Sequence, residues 1–155
     1  MKLDIGCGNS KPAGFTGIDI RATPAADIVC DITKGIPLPD GCASEVRLSH
    51  VLEHIVDCDA AISEINRVCK SGAVIRIIVP DVQHESFHIP THCQPWSRFW
   101  FKEHLALWIL ESVEEVVDEQ ALAVARKYLP TITADDAMML FWNVRKERRV
   151  TCRRR

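Results

Sequence analysis

Leu3-Asp4-Ile5-Gly6-Cys7-Gly8 is a short apolar run that carries one acid and stops on two glycines. A run of that length bounded by turn residues reads as a buried strand, and ligands of open α/β sheets bind at the carboxyl ends of their strands. Glycine there lets the backbone approach a ligand with no Cβ in the way. Asp4 offers acceptor oxygens to a cationic amine or to loop amides. Taken alone the motif decides little, because two glycines after a strand also make an ordinary tight turn.

The next segments give it weight. Residues 16–20, 27–31, 45–49 and 73–79 are further strand candidates, the last dense in β-branched side chains and halted by Pro80, which cannot continue a central ladder. The second strand ends Gly17-Ile18-Asp19-Ile20 and the third Val29-Cys30-Asp31-Ile32. Asp19 is placed to accept from both hydroxyls of a ribose, and Asp31 from an adenine amino group with Ile32 packed on the ring. Acids at three successive strand ends point to a nucleoside-bearing cofactor. Between the fourth and fifth strands, residues 59–70 place Ala60, Ala61 or Ile62, Ile65 and Val68 or Cys69 at helical spacing and end near Lys70 and Gly72, so an amphipathic helix is predicted there. The alternation predicts an α/β, Rossmann-like doubly wound and mostly parallel sheet.

The first two crossovers are short. About ten residues, with Pro12 and Gly14 among them, separate the first strand from the second. A full helix does not fit, so an abbreviated sheet with one reduced face is expected. Residues 97–129 are rich in Leu, Ala, Val, Glu and Trp and lack internal glycine or proline, which predicts one long helix from an N-cap at Ser97 to Pro130, or two with a kink near Ser112. Met138–Val144 followed by Arg149–Cys152 fits a closing hairpin slightly better than another helix. The basic run from Arg145 to Arg155 is expected to be a solvated tail.

One domain is expected over residues 1–155, with 1–81 as the cofactor-binding core and 82–155 as a helical lid or acceptor region. The formal net charge of −2 and 47% hydrophobic composition describe an ordinary soluble protein with no general attraction for nucleic acid. Seven scattered cysteines without a C-x-x-C pair suggest reduced thiols and a cytoplasmic setting. Nothing after Met1 resembles a signal peptide, and no apolar run suits a membrane span. A homodimer is one way for so short a chain to bury its apolar surface.

LDIGCG (3–8), GIDI (17–20), CDIT (30–33), LPDGCASEVRLSHVLEHI (38–55) and EINRVCKSGAVIRIIVPD (64–81) follow in the order and spacing of class I S-adenosylmethionine-dependent methyltransferases. The chain resembles the small type-11 branch of that family over residues 1–81, most specifically at Ser49-His50-Val51-Leu52-Glu53-His54-Ile55. Glu64, Arg67 and Lys70 before a glycine support it. The resemblance implies a seven-stranded sheet, S-adenosyl-L-methionine as cofactor and a small-molecule methyl acceptor. By it Asp4, Gly6, Cys7 and Gly8 cradle the methionine portion, Asp19 and Ile20 the ribose, Asp31 and Ile32 the adenine, while Ser49 and His50 border the methyl group. Ser10 stands where a third glycine is usual, Ser71-Gly72-Ala73 replaces Pro-Gly-Gly, and the first helix is nearly absent.

Methyl transfer from a sulfonium needs alignment and a dry pocket more than a base. A hydroxyl acceptor is helped by a side chain that titrates near neutrality, which makes His50 and His54 the candidate catalytic residues, although His54 is better suited to packing against or capping the helix that starts there. Asp81, His84, His88, His92 and Cys93 have the i, i+4 spacing of a metal-binding helix face, but Pro90 interrupts it and no metal site is assigned. This loop, with Trp96, Phe99, Trp100 and Phe101, is expected to wall the acceptor or to be plain core. A catalytically inactive, cofactor-binding scaffold is the alternative. A nicotinamide dehydrogenase is disfavoured because residues 6–11 do not supply G-x-G-x-x-G.

Overall fold

Among the described residues, nine regular elements arise from the apolar runs and their connections. They are β1 (Lys2–Ile5), β2 (Thr16–Asp19), β3 (Ile28–Val29), β4 (Ala43–Ser49), α1 (Cys58–Val68), β5 (Cys69–Pro80), β6 (Trp108–Val117), α2 (Glu119–Tyr128) and β7 (Lys146–Arg154), with a single 3-10 turn at Leu52–His54. They belong to a computed structural model that describes residues 1–80, 108–117, 119–128, 131 and 146–155. The strands form one seven-stranded sheet in the order β3-β2-β1-β4-β5-β7-β6. Strands β1 to β5 pair in parallel, and β7 runs antiparallel to both β5 and β6. The order reverses at β1, which leaves the crevice beyond the ends of β1, β2 and β4 as the natural ligand position.

Alternation along the strands makes the sheet two-faced. Leu3, Ile5, Val46, Leu48, Ile75, Ile77, Val150 and Cys152 are buried and join Ala61, Ile62, Ile65 and Val68 of α1 in one core. Trp108, at the start of β6, enters the same core and its indole N–H donates to Asn66 on α1. The intervening positions carry charge instead. Lys2 bonds Glu45 (2.9 Å), Arg76 also bonds Glu45, and Arg47 donates to Asp4 (2.7 Å) across the β1–β4 register. No helix lies between Gly6 and Phe15, so the reduced face expected from the short crossover is present.

α1 begins at Asp57, whose side chain accepts from the Ala60 N–H (3.0 Å). It ends at Val68, earlier than predicted, because β5 starts at Cys69 opposite Ala43 before a register shift restores the ladder at Glu45. Arg67 fastens the preceding connection to this helix. Its guanidinium donates to the carbonyls of Ile36 and Leu38 and to the carboxylates of Asp40 and Glu64, while Glu64 accepts from the Ile36 N–H. These carboxylates raise the Arg67 pKa further above its ordinary value. Replacing Arg67 by Lys should lower the thermal midpoint nearly as much as replacement by Ala, because an ammonium cannot span four acceptors as a planar fork does. A scanning-calorimetry series in which Lys restores the wild-type midpoint would contradict that account.

Two expectations are corrected. The helix read over residues 97–129 is present as α2, but Trp108–Val117 is a strand, and residues 97–107 lie outside the described residues. Ile109, Val113, Val116 and Val117 are β-branched, and the ladder offered by β7 outweighs helix-compatible composition. The basic run is no solvated tail, since Lys146–Arg154 enters the sheet between β5 and β6. Val150 and Cys152 point into the core while Arg149 and Arg153 stay exposed. Met138–Val144, the other half of the expected hairpin, lies outside the described residues. Burial pushes the Cys69 thiol up to about 11 and that of Cys152 to about 12. No described helix is long and apolar enough to cross a membrane.

Candidate functional site

The turn after β1 is built on the edge of β2. Gly6 and Cys7 both donate their N–H to the Ile18 carbonyl (2.7 and 3.2 Å), which bends the chain out of the strand at once. Gly6 has φ +68, and a Cβ there would lie 2.2 Å from Val51 Cγ2, so the turn passes tightly against the segment after β4. Gly8, at φ +56, has no described residue within 4 Å of a Cβ position.

Asp19 ends β2 with its side chain only 6% exposed. One oxygen accepts from the Gly8 N–H (2.9 Å) and the other from the Arg21 N–H (3.0 Å). Burial alone would raise its pKa, but these amides and the Arg21 charge together hold the carboxyl below the usual carboxylate value. Asp31 follows β3 and accepts from the Thr33 N–H (3.0 Å) and hydroxyl (2.7 Å), with Lys34 at 3.1 Å. These bonds also keep its pKa low, the Thr33 hydroxyl most of all. Each carboxylate retains lone pairs after these bonds and is fixed as an acceptor.

Beyond Ser49 the chain turns through His50, whose φ of +55 is left-handed. Its N–H donates to the Ile78 carbonyl (2.9 Å), and its Nδ1 lies 3.2 Å from Glu53 Oε1. A cavity of about 470 Å³ opens among these segments, lined in part by Gly6, Gly8, Asp19, Ile20, Asp31, Ile32, His50 and His54. Its volume falls in the range of small-molecule sites. A second cavity of about 310 Å³ shares Gly6 with it and is lined by Cys7, Ser10, Lys11, Pro12, Arg47 and Ser49.

Eight of the residues singled out in the sequence therefore share the larger cavity, while Cys7 and Ser49 border the smaller one. Asp4 lines neither. It is 1% exposed, Oδ1 accepts from Arg47, and Oδ2 has no partner among the described residues. Sequence reasoning missed Arg47, Lys11, Arg21 and Glu53. The Ala43–Ser49 alternation does put Arg47 on the face of β4 that cannot be core, but nothing local pairs it with Asp4. The Asp81–Cys93 cluster and the aromatics from Trp96 to Phe101 lie outside the described residues.

The residues present suit an adenosyl cofactor. Asp19 and Asp31 present acceptor oxygens at the cavity, and Ile20 and Ile32 supply apolar surface beside them.

Residues 3–77 match the model of a family described as a methyltransferase domain. No curated protein matches the chain. Among solved structures, a SAM-dependent methyltransferase from Archaeoglobus fulgidus is similar at 17% identity and a TM-score of 0.65, covering 99% of this chain and 85% of that one. A chain of the Haloferax volcanii complex between the Trm112 methyltransferase activator and a methyltransferase is similar at 16% identity and a TM-score of 0.71, with 99% and 81% covered. Geranyl diphosphate C-methyltransferase from Streptomyces coelicolor A3(2), in complex with Mg2+, geranyl diphosphate and S-adenosyl-L-homocysteine, is similar at 13% identity and a TM-score of 0.68, with 99% and 73% covered. At such identities the likeness establishes the fold.

Proposed function

We propose that this chain, whose residues 3–77 match the model of a methyltransferase domain, is an active S-adenosylmethionine-dependent enzyme that methylates a small-molecule acceptor. The observation that carries the reading is the shared cavity of the Gly6–Gly8 turn, Asp19 and Asp31. In it Asp19 accepts from the ribose hydroxyls, with Ile20 alongside, and Asp31 and Ile32 receive the adenine. The smaller cavity takes the amino-acid end, with Arg47, held from behind by Asp4, toward its carboxylate.

When bound, the cofactor supplies a methyl group made electrophilic by a sulfonium. The chain's contribution is alignment: the Gly6 turn and Asp19 fix the adenosyl end, while Ser49 and His50 border the reacting end. His50 takes the proton of a hydroxyl acceptor, and His54 shares the wall. A protein of the same fold is known with the small molecule geranyl diphosphate bound.

Isothermal titration with S-adenosylhomocysteine is expected to give one site per chain with roughly micromolar affinity, near −8 kcal/mol. Absence of heat at millimolar ligand would remove the reading. Production of S-adenosylhomocysteine with members of an acceptor panel then tests activity.

A further inference from the structure

Three charged side chains are buried among the described residues, and two of them, Asp4 and Asp19, are accounted for by the cofactor site. The third is Glu53, 1% exposed in the 3-10 turn that follows β4. Its Oε1 lies 3.2 Å from His50 Nδ1, and its Oε2 has no partner among the described residues. Burying a carboxylate is costly unless a donor or a cation offsets it, so the His50 ring is integral to keeping Glu53 where it is. The converse holds for His50. Its backbone is held in a left-handed conformation that histidine adopts only at some cost, pinned by the bond to Ile78, and its ring is tethered at the other end by Glu53.

We propose that Glu53 is a positioning residue whose carboxylate accepts from His50 Nδ1–H, fixing the tautomer in which Nε2 is the basic nitrogen turned to the methyl acceptor. The proposal rests on the reading of the cavity given above. As the acceptor oxygen bonds to the methyl carbon, the sulfur–carbon bond breaks and its electron pair stays on sulfur. The hydroxyl proton passes to His50 Nε2, and the imidazolium formed returns it to water. Glu53 stabilises that imidazolium from behind. Among the described residues, the other titratable groups that line the cavity with His50 are Asp19 from β2, Arg21 after it, Cys30 and Asp31 after β3, and His54 in the turn. Two of these are carboxylates that act in the same direction as Glu53, and Arg21 opposes them.

Imidazole nitrogen NMR, with the His50 signals identified by their loss in His50→Gln, tests this without an acceptor. The wild-type ring is expected as the Nδ1-protonated tautomer, and Glu53→Gln should weaken proton binding at His50 roughly tenfold. A folded Glu53→Gln protein with unchanged His50 titration would overturn the proposal. Should that variant not fold, an Nε2-protonated tautomer in the wild type overturns it equally well. Titration with S-adenosylhomocysteine separates the two layers: the expected tautomer without any cofactor binding leaves the pair intact and removes its role in methyl transfer.

Discussion

Asp19→Asn should weaken S-adenosylhomocysteine binding at least ~100-fold, about 2.7 kcal/mol, while the protein stays folded. The carboxylate holds the Gly8 and Arg21 amides with its two oxygens and still has lone pairs for a ribose. An asparagine keeps one acceptor and turns an NH2 group toward the other amide. One amide is then left unpaired in a nearly buried place, and the turn that shapes the cavity loses an anchor. Hydrogen bonds to a charged acceptor contribute ~1.5–3 kcal/mol each, so loss of one anchor and one ribose contact reaches the stated effect. Titration calorimetry at neutral pH is the measurement, and a change below about fivefold would detach Asp19 from the cofactor.

The same residue gives a pH dependence with a defined sign. Its folded-state pKa is lowered, so its contribution to stability is fully present above the unfolded carboxylate value, about 4, and is lost as pH falls through the folded one. The gap in thermal midpoint between wild type and Asp19→Asn should therefore be constant from neutral pH to about pH 5 and narrow below about pH 4. A gap that widens on acidification would contradict the ion-stabilised carboxylate.

The strand ends were legible because their signal is local. Asp19 and Asp31 each close a run of apolar residues, and parallel pairing alone carries them to one rim. Ile65 and Val68 likewise announced the buried side of α1 by spacing. β6 and the inner position of β7, whose Arg149–Cys152 stretch did fit a hairpin, were opaque for a different reason. Trp108–Val117 has composition acceptable to a helix, and Lys146–Arg154 has too many arginines to look like an inner strand. Each becomes a strand only because the other, with β5, completes its ladder, and that pairing spans tens of residues. The site divides in the same way. Its acceptors were readable, whereas Arg47 on Asp4 is a cross-strand pair 43 residues apart and Glu53 on His50 depends on a backbone turn that no residue type demands.

Glycines 6 and 8 look alike in sequence, and the structure gives them different jobs that substitution should separate. Gly6→Ala keeps a left-handed φ at ~1–2 kcal/mol and drives its methyl into Val51, a stiff β-branched side chain, at 2.2 Å. Relief of that overlap adds another ~1–3 kcal/mol, for a total near ~3 kcal/mol or more. For a chain of this size the midpoint should fall by roughly 6–12 °C. Val51 also lines the larger cavity, so its displacement should reduce cofactor affinity as well. Gly8→Ala bears the strain alone, since no described residue lies within 4 Å of the new methyl, and should lose only ~1–2 kcal/mol of stability. Yet Gly8 borders the same cavity, and under the proposed function a methyl there takes space from the cofactor, so binding should suffer more than folding. The paired result, a large midpoint drop for Gly6→Ala and a selective affinity loss for Gly8→Ala, is what a glycine turn shaped around a ligand requires. If both variants lost stability equally and Gly8→Ala bound S-adenosylhomocysteine like wild type, the turn would be packing and the cavity beside it would have no claim to the cofactor.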